Sequence, residues 1–231
     1  MQFFSYLING ISLGSVYALI ALGYTMVYGI AKMLNFAHGD VIMIGSYVVY
    51  FAFGASGLNP VLSIVLSMIV CTILGVVSER LAYRPLREAP SLAVLITAIG
   101  VSYLLHQVAQ LSLSSNPKSF TSVVSGMKPV SLFGGQLTIS AETIVTIVAC
   151  VVIMVVLMWF VNYTPAGHAM LAVSEDRGAA QLMGVNVNGT ISLTFAIGSA
   201  LAAIAGALLC SSYPTLQPTT GAMPGIKAFV A

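Results

Sequence analysis

Residues 41–78 read VIMIGSYVVYFAFGASGLNPVLSIVLSMIVCTILGVVS, 38 residues without a single charge. An apolar helix needs about 20 residues to cross a bilayer, so this run is long enough for two. Inside hydrocarbon every backbone N–H and C=O must be paired within the segment or across a closed barrel. An unbroken apolar run of this length is therefore read as helix. The string Gly54-Ala-Ser-Gly57-Leu-Asn59-Pro60 punctuates it, because Gly, Asn and Pro interrupt helices.

The rest of the chain repeats the pattern. Runs 1–31, 89–117, 143–174 and 178–226 are also uncharged. Across all 231 residues only 6% are charged and 58% are hydrophobic. A soluble domain carries about 25% charged residues. The composition excludes an ordinary soluble domain, a disordered chain and a nucleic-acid binder with a basic patch. The expected fold is all-α, a polytopic integral membrane protein forming one domain over 1–231. About six spans are expected, at 5–30, 41–56, 61–78, 91–112, 143–162 and 190–212. The second is short, and a tilted, broken or re-entrant path is expected for it.

The few charges set the orientation. Glu79 to Glu88 holds Arg80, Arg84 and Arg87, which places this loop in the cytoplasm. Counting spans from there puts Lys32 and the segment 164–189 inside. The N-terminus and the segment 113–141 fall outside, so Lys118 and Lys128 go against the rule. The first span has no basic n-region before it and is read as retained. Cys71, Cys150 and Cys210 lie singly in apolar runs, with neither zinc spacing nor a disulfide framework, and are read as small buried hydrophobes. Asn162 and Asn188 head N-x-T strings on the inner side, where glycosylation does not apply.

The loops carry local signals. Val130 to Ile139 alternates around Gly134-Gly135 and predicts a small hairpin. Ser140 is placed to cap the following span. Thr164-Pro165 predicts a helix start. Ser174-Glu175-Asp176-Arg177 predicts a second, with Ser174 as N-cap and the acids in the first turn. Gly184 closes that helix as a left-handed cap. A plain interhelical turn is the competing reading of the segment. Gly10 with Gly14, and Gly198 with Gly206, have the spacing that lets membrane helices approach closely.

No nucleotide-binding string is present. Gly221 to Lys227 has the wrong spacing for a phosphate loop and no following Ser or Thr. No catalytic or metal-binding motif stands out either. The densest polar cluster is Asn35-Phe36-Ala37-His38-Gly39-Asp40, between two apolar runs. Ionisable groups at membrane depth are costly and point to function. Asn35, His38, Asp40, His106 of the fourth span, and Tyr17 and Tyr24 from a tyrosine stripe on the first are candidates for a substrate path or gate. A polar turn and ordinary helix packing are the structural alternatives for the same residues. An intramembrane enzyme using His38 and Asp40 is a further reading, although no local nucleophile accompanies the pair.

Several of these strings resemble one family. Gly10 to Gly29 (GISLGSVYALIALGYTMVYG), followed by Asn35 to Asp40, is similar to the N-terminal signature of branched-chain amino acid ABC transporter permeases. Gly167 to Val185 is similar to that family's cytoplasmic coupling region, and Gly221 to Ala231 also matches. The resemblance is to the H-type of the two paired permeases. It implies an importer on the bacterial inner membrane, multi-pass, whose partners are a second permease subunit, two ATPase subunits and a periplasmic substrate-binding protein. The chain itself would bind no cofactor, and ATP would be used by the partner subunits. Glu175, Asp176, Arg177, Ala179, Ala180, Leu182, Met183 and Gly184 would couple to an ATPase. Branched-chain amino acids are the implied substrates, with urea or short amides as alternatives within the same type. An ion-coupled secondary transporter or channel is the alternative outside it. Members of the family run on for about two more spans of about 20 residues each, so the chain is expected to be short at its C-terminus.

Overall fold

The computed structural model describes residues 2–87, 89–124, 130–132 and 137–230. Five helices among them are long and apolar enough to cross a membrane: Tyr6–Ala31 within α1 (Gln2–Ala31), Pro60–Leu86, which holds α3 (Pro60–Ser78) and a π-helical and a 3-10 turn, α4 (Ser91–Leu113), α5 (Ala141–Tyr163) and α8 (Val187–Ser212). The expected second span is different. It is a 12-residue helix, α2 (His38–Val49), continued by a π-helical stretch, Tyr50–Ala55. Two short helices between α5 and α8, α6 (Pro165–Glu175) and α7 (Arg177–Leu182), and a last one, α9 (Ala222–Val230), are the other helices among the described residues.

The punctuation residues act where the sequence places them. Asn59 caps α3 by accepting from Val61 N, and Pro60 occupies the first turn. Ser140 accepts from Thr143 N at the start of α5. Thr164 accepts from Gly167 N, with Pro165 beginning α6. The second inner start needs a correction. Ser174 is inside α6, where its hydroxyl donates to Leu171 O, and the cap of α7 is Asp176. Asp176 Oδ1 accepts from both Gly178 N and Ala179 N, at 2.7 and 3.0 Å. The first inner helix runs on through Glu175, so the break comes two residues later than expected. Gly184 does end α7, at φ +86°. Its N–H bonds to Gln181 O while Val185 N reaches back to Ala180 O.

Two small antiparallel pairs decorate the other end. β2 (Val130–Leu132) pairs with β3 (Leu137–Ile139), as the alternation predicts, and the expected Gly134-Gly135 turn lies outside the described residues. β1 (Lys118–Ser119) pairs with β4 (Thr215–Leu216), which fastens the loop after α4 to the chain after α8. Lys118 extends over the rings of Tyr47, Tyr50 and Phe51, 5.8, 5.5 and 4.7 Å from their centroids.

α8 lies at the centre, with most residues from Thr190 to Ser211 buried and Leu193 exposed. It can be central because its neighbours approach backbone to backbone. A Cβ on Gly198 would meet Val27 Cγ2 at 2.9 Å, and one on Gly45 would meet Ala203 Cα at 2.8 Å. Gly206 sits likewise against Ile42 O. Gly10 and Gly14, with the same spacing on α1, have open space within 4 Å, so their spacing marks no contact inside this chain. Polar bonds add to the contacts: Ser67 Oγ donates to Gly45 O at 2.8 Å and Cys150 Sγ to Ser15 O at 3.2 Å. The outer faces of α3, α4 and α5 expose Val61, Ile69, Ile96, Leu111, Val155 and Trp159, surface that suits hydrocarbon. Overpacking a tight core costs about 1–3 kcal/mol. Gly45→Leu should therefore lower the melting temperature of the detergent-solubilised protein clearly, whereas Gly100→Leu, at a site open within 4 Å, should leave it unchanged.

Candidate functional site

α1 ends at Ala31, and Lys32 turns the chain back at φ +51°. The return is deep. His38, the first residue of α2, packs beside Gly23, about 12 Å back along α1 at 1.5 Å per residue. α2 thus begins inside the bundle. α9 does too: Gly221 and Gly225 press against Gly39, where a Cβ on Gly39 would meet Gly221 O at 2.7 Å. Irregular backbone at membrane depth is tolerated where it is buried in protein or lines a cavity. Here it does both.

A cleft of about 290 Å³ opens at that meeting point. Its lining includes Tyr24, Asn35, His38, Asp40 and His106, five of the six residues that the sequence marks as candidates for a path or gate. The sixth, Tyr17, is elsewhere: Lys227 Nζ lies 5.4 Å over its ring and 3.5 Å from its hydroxyl. α4 supplies lining that the sequence does not flag, Ile99, Ser102 and Tyr103 beside His106, and α9 supplies Gly225 and Ile226. Ser102 and His106 are four apart on one helix, so they share a face. Nothing in the sequence indicates that this face meets Asp40, which lies about sixty residues earlier in the chain.

The polar atoms have distinct partners. Asp40, 6% exposed, accepts a hydrogen bond from Ser102 Oγ through Oδ2, and His106 Nδ1 lies 4.0 Å from Oδ1. Among the described lining residues there is no Lys or Arg. Asn35 Oδ1 accepts from Tyr83 Oη at 2.9 Å, which ties the return loop to the inner end of the third span. His38 turns towards Gly23 and makes an edge contact with Tyr24 at 6.1 Å. His38 and Asp40 therefore face different neighbours, and no hydrogen bond joins them among the described residues. The arrangement offers no charge relay. Phe229 of α9 packs against two of the lining rings, 5.6 Å from Tyr24 and 5.3 Å from Phe36.

A second polar centre joins the end of the third span to the start of α8. Glu79 is fully buried, and its carboxylate accepts from Arg87 and from Ser192 Oγ, the latter at 2.6 Å. Arg87 also donates to Asn188 Oδ1 in the first turn of α8. Arg177, which opens α7, donates to Ala31 O, an orphan carbonyl at the C-terminus of α1. Burial, and then the charge of Arg87, lowers the Arg177 pKa from its ordinary value. Glu175, Asp176, Ala179 and Gly184 are exposed and Ala180 is buried, while Leu182 is 90% and Met183 83% exposed. Lys32, Arg80, Arg87 and Arg177 thus belong to loops gathered at one end. The residues 118–119 pair with 215–216, which joins the chain after α4 to the chain after α8.

Comparison with known proteins gives one result at several distances. The family described as branched-chain amino acid transport system, permease component, matches residues 6–231. The high-affinity branched-chain amino acid transport system permease protein BraD of Pseudomonas aeruginosa is 42% identical over 97% of this chain and 76% of its own length. LivH of Escherichia coli K12, of the same description, is 39% identical over 100% of this chain and 78% of its own. The ribose import permease protein RbsC of Haemophilus influenzae is 28% identical over 94% and 64%. No solved structure matches.

The bond between Asn35 and Tyr83 makes a prediction. Removing one partner strands a buried polar group at about 1–3 kcal/mol, whereas replacing both with apolar groups is nearly neutral. Asn35→Leu should lower the melting temperature more than the double variant Asn35→Leu/Tyr83→Phe does. Simple additivity of the two changes would contradict the pairing.

Proposed function

This chain belongs to the family of permease components of branched-chain amino acid transport systems, and from that premise we propose its working assembly. It forms, with a second permease subunit, the translocation path of an ABC importer in a bacterial inner membrane. A periplasmic binding protein delivers the branched-chain amino acid at the outer end. Two ATPase subunits dock at the inner end and supply the energy, so ATP is bound by the partners and no cofactor by this chain. Urea or a short amide is the alternative cargo of the same architecture.

The observation that supports docking at the inner end is the exposure of Leu182 and Met183, 90% and 83%, on a helix too short to fold alone. Its Arg177 bond to Ala31 O fixes it to the end of α1, while its apolar tip is left exposed. Large exposed apolar side chains beside polar ones mark an interaction surface. Motion of a docked partner would pass through Arg177 to the end of α1, and α1 carries Tyr24 of the cleft.

The test is ATP-dependent uptake into vesicles holding the full partner set, with leucine, isoleucine, valine and urea compared. Uptake of the three amino acids that stops without ATP is the expected result. Uptake driven by an ion gradient without ATPase subunits would refute the assembly. The double variant Leu182→Glu/Met183→Glu should still insert, lose co-purification with the ATPase subunits and lose uptake by about tenfold or more. Normal uptake by it would remove α7 from the coupling role.

A further inference from the structure

The cleft carries a charge that the reading so far leaves unused. Asp40 is a carboxylate inside an apolar bundle, and its neighbours are Ser102, a neutral donor, and His106 at 4.0 Å, beyond hydrogen-bond reach. Among the described residues no Lys or Arg lines the cleft, and His106 is a cation only when protonated, so the carboxylate has no permanent cationic partner. A buried carboxylate in that position is costly, and such groups persist where they pair with something. Around it are Phe36, Ile99 and Ile226, an apolar wall of aliphatic and aromatic side chains. The volume, about 290 Å³, is at the lower limit of small-molecule sites and suits one small solute.

Resting on the transport reading above, we infer that Asp40 is a specificity-determining residue that binds the ammonium group of the amino acid within the membrane. Ser102 holds Oδ2, and Oδ1, with His106 Nδ1 4.0 Å away, is the oxygen left for the ammonium. The aliphatic side chain of the substrate lies along Ile99 and Ile226. The permease thus selects its cargo after the binding protein has released it, by charge at one end and by apolar contact at the other. Urea, which is neutral, can donate hydrogen bonds to Asp40 but lacks both the ammonium charge and the branched chain, so it gains less there.

The experiment uses the complete permease–ATPase assembly in detergent without binding protein, and measures competition against radiolabelled leucine. 3-Methylbutylamine keeps the ammonium and the branched chain, and 4-methylpentanoate keeps the carboxylate and the branched chain. The amine should compete about tenfold or more better than the acid. Asp40→Asn should weaken leucine binding by a similar factor and abolish the preference for the amine. Equal competition by amine and acid, unchanged binding by Asp40→Asn, or no leucine binding by an assembly that imports leucine would overturn the inference. If Asp40→Asn does not assemble, the two ligands on the unaltered assembly decide alone. Vesicle uptake by the same preparation is run in parallel. A preparation with binding protein and ATP that imports no leucine fails the transport reading, whereas import of leucine with indifferent competition fails only the role of Asp40.

Discussion

Close approach of helix backbones is the constraint on which the rest of this molecule depends. In lipid, helices gain nothing from excluding water between them, so they associate through packing and a few polar bonds. At Gly45, Gly198 and Gly206 the missing side chains bring α1 and α2 onto α8 closely enough for this. The same device, at Gly39, Gly221 and Gly225, lets two short helices meet inside the bundle. Fill that contact and α2 cannot begin where it does. Asp40 would then have no reason to lie opposite Ser102, and the cleft would lose the wall that α9 supplies at Gly225 and Ile226.

The scarcity of charge is also what makes the remaining charges informative. Glu79 and Arg87 neutralise each other within the protein and hold three segments together at one end. Breaking such a buried pair by removing one partner costs about 3–5 kcal/mol, because the other is left uncompensated. Arg177 satisfies the end of α1 instead of reaching into solvent. These arginines thus fasten segments of the folded chain to one another.

Much of this was legible in the sequence, for identifiable reasons. Long uncharged runs follow from the bilayer thickness, so the five spans read directly, and Asn59-Pro60, Ser140 and Thr164-Pro165 marked their own helix starts. The cluster Asn35 to Asp40 stood out because polar groups at that depth are expensive. Where α2 begins was not legible. Residues 41–56 are apolar enough for a span, and only the tertiary contact of His38 with Gly23 shows that the helix starts well inside the bundle. Ser102 and Ile226 escaped notice because nothing local distinguishes a cleft-facing Ser or Ile from a packed one. At Gly10 and Gly14 a small-residue pattern permits close contact without specifying a partner, and none of the described residues comes within 4 Å of a Cβ there. Ser174 and Asp176 are both good caps, and the choice between them was made by how far α6 continues.

The cysteines have a practical side. Cys71, Cys150 and Cys210 are all free and all buried, with the thiols of Cys71 and Cys150 directed at the carbonyls of Val41 and Ser15. A thiol reacts as an exposed thiolate, so these three are poor targets for water-soluble reagents. The native chain is in effect a silent background for site-directed labelling. One cysteine introduced on the tip of α7 or at the rim of the cleft would carry a probe alone, and could report movement of the inner end without first stripping the protein of its own sulfur.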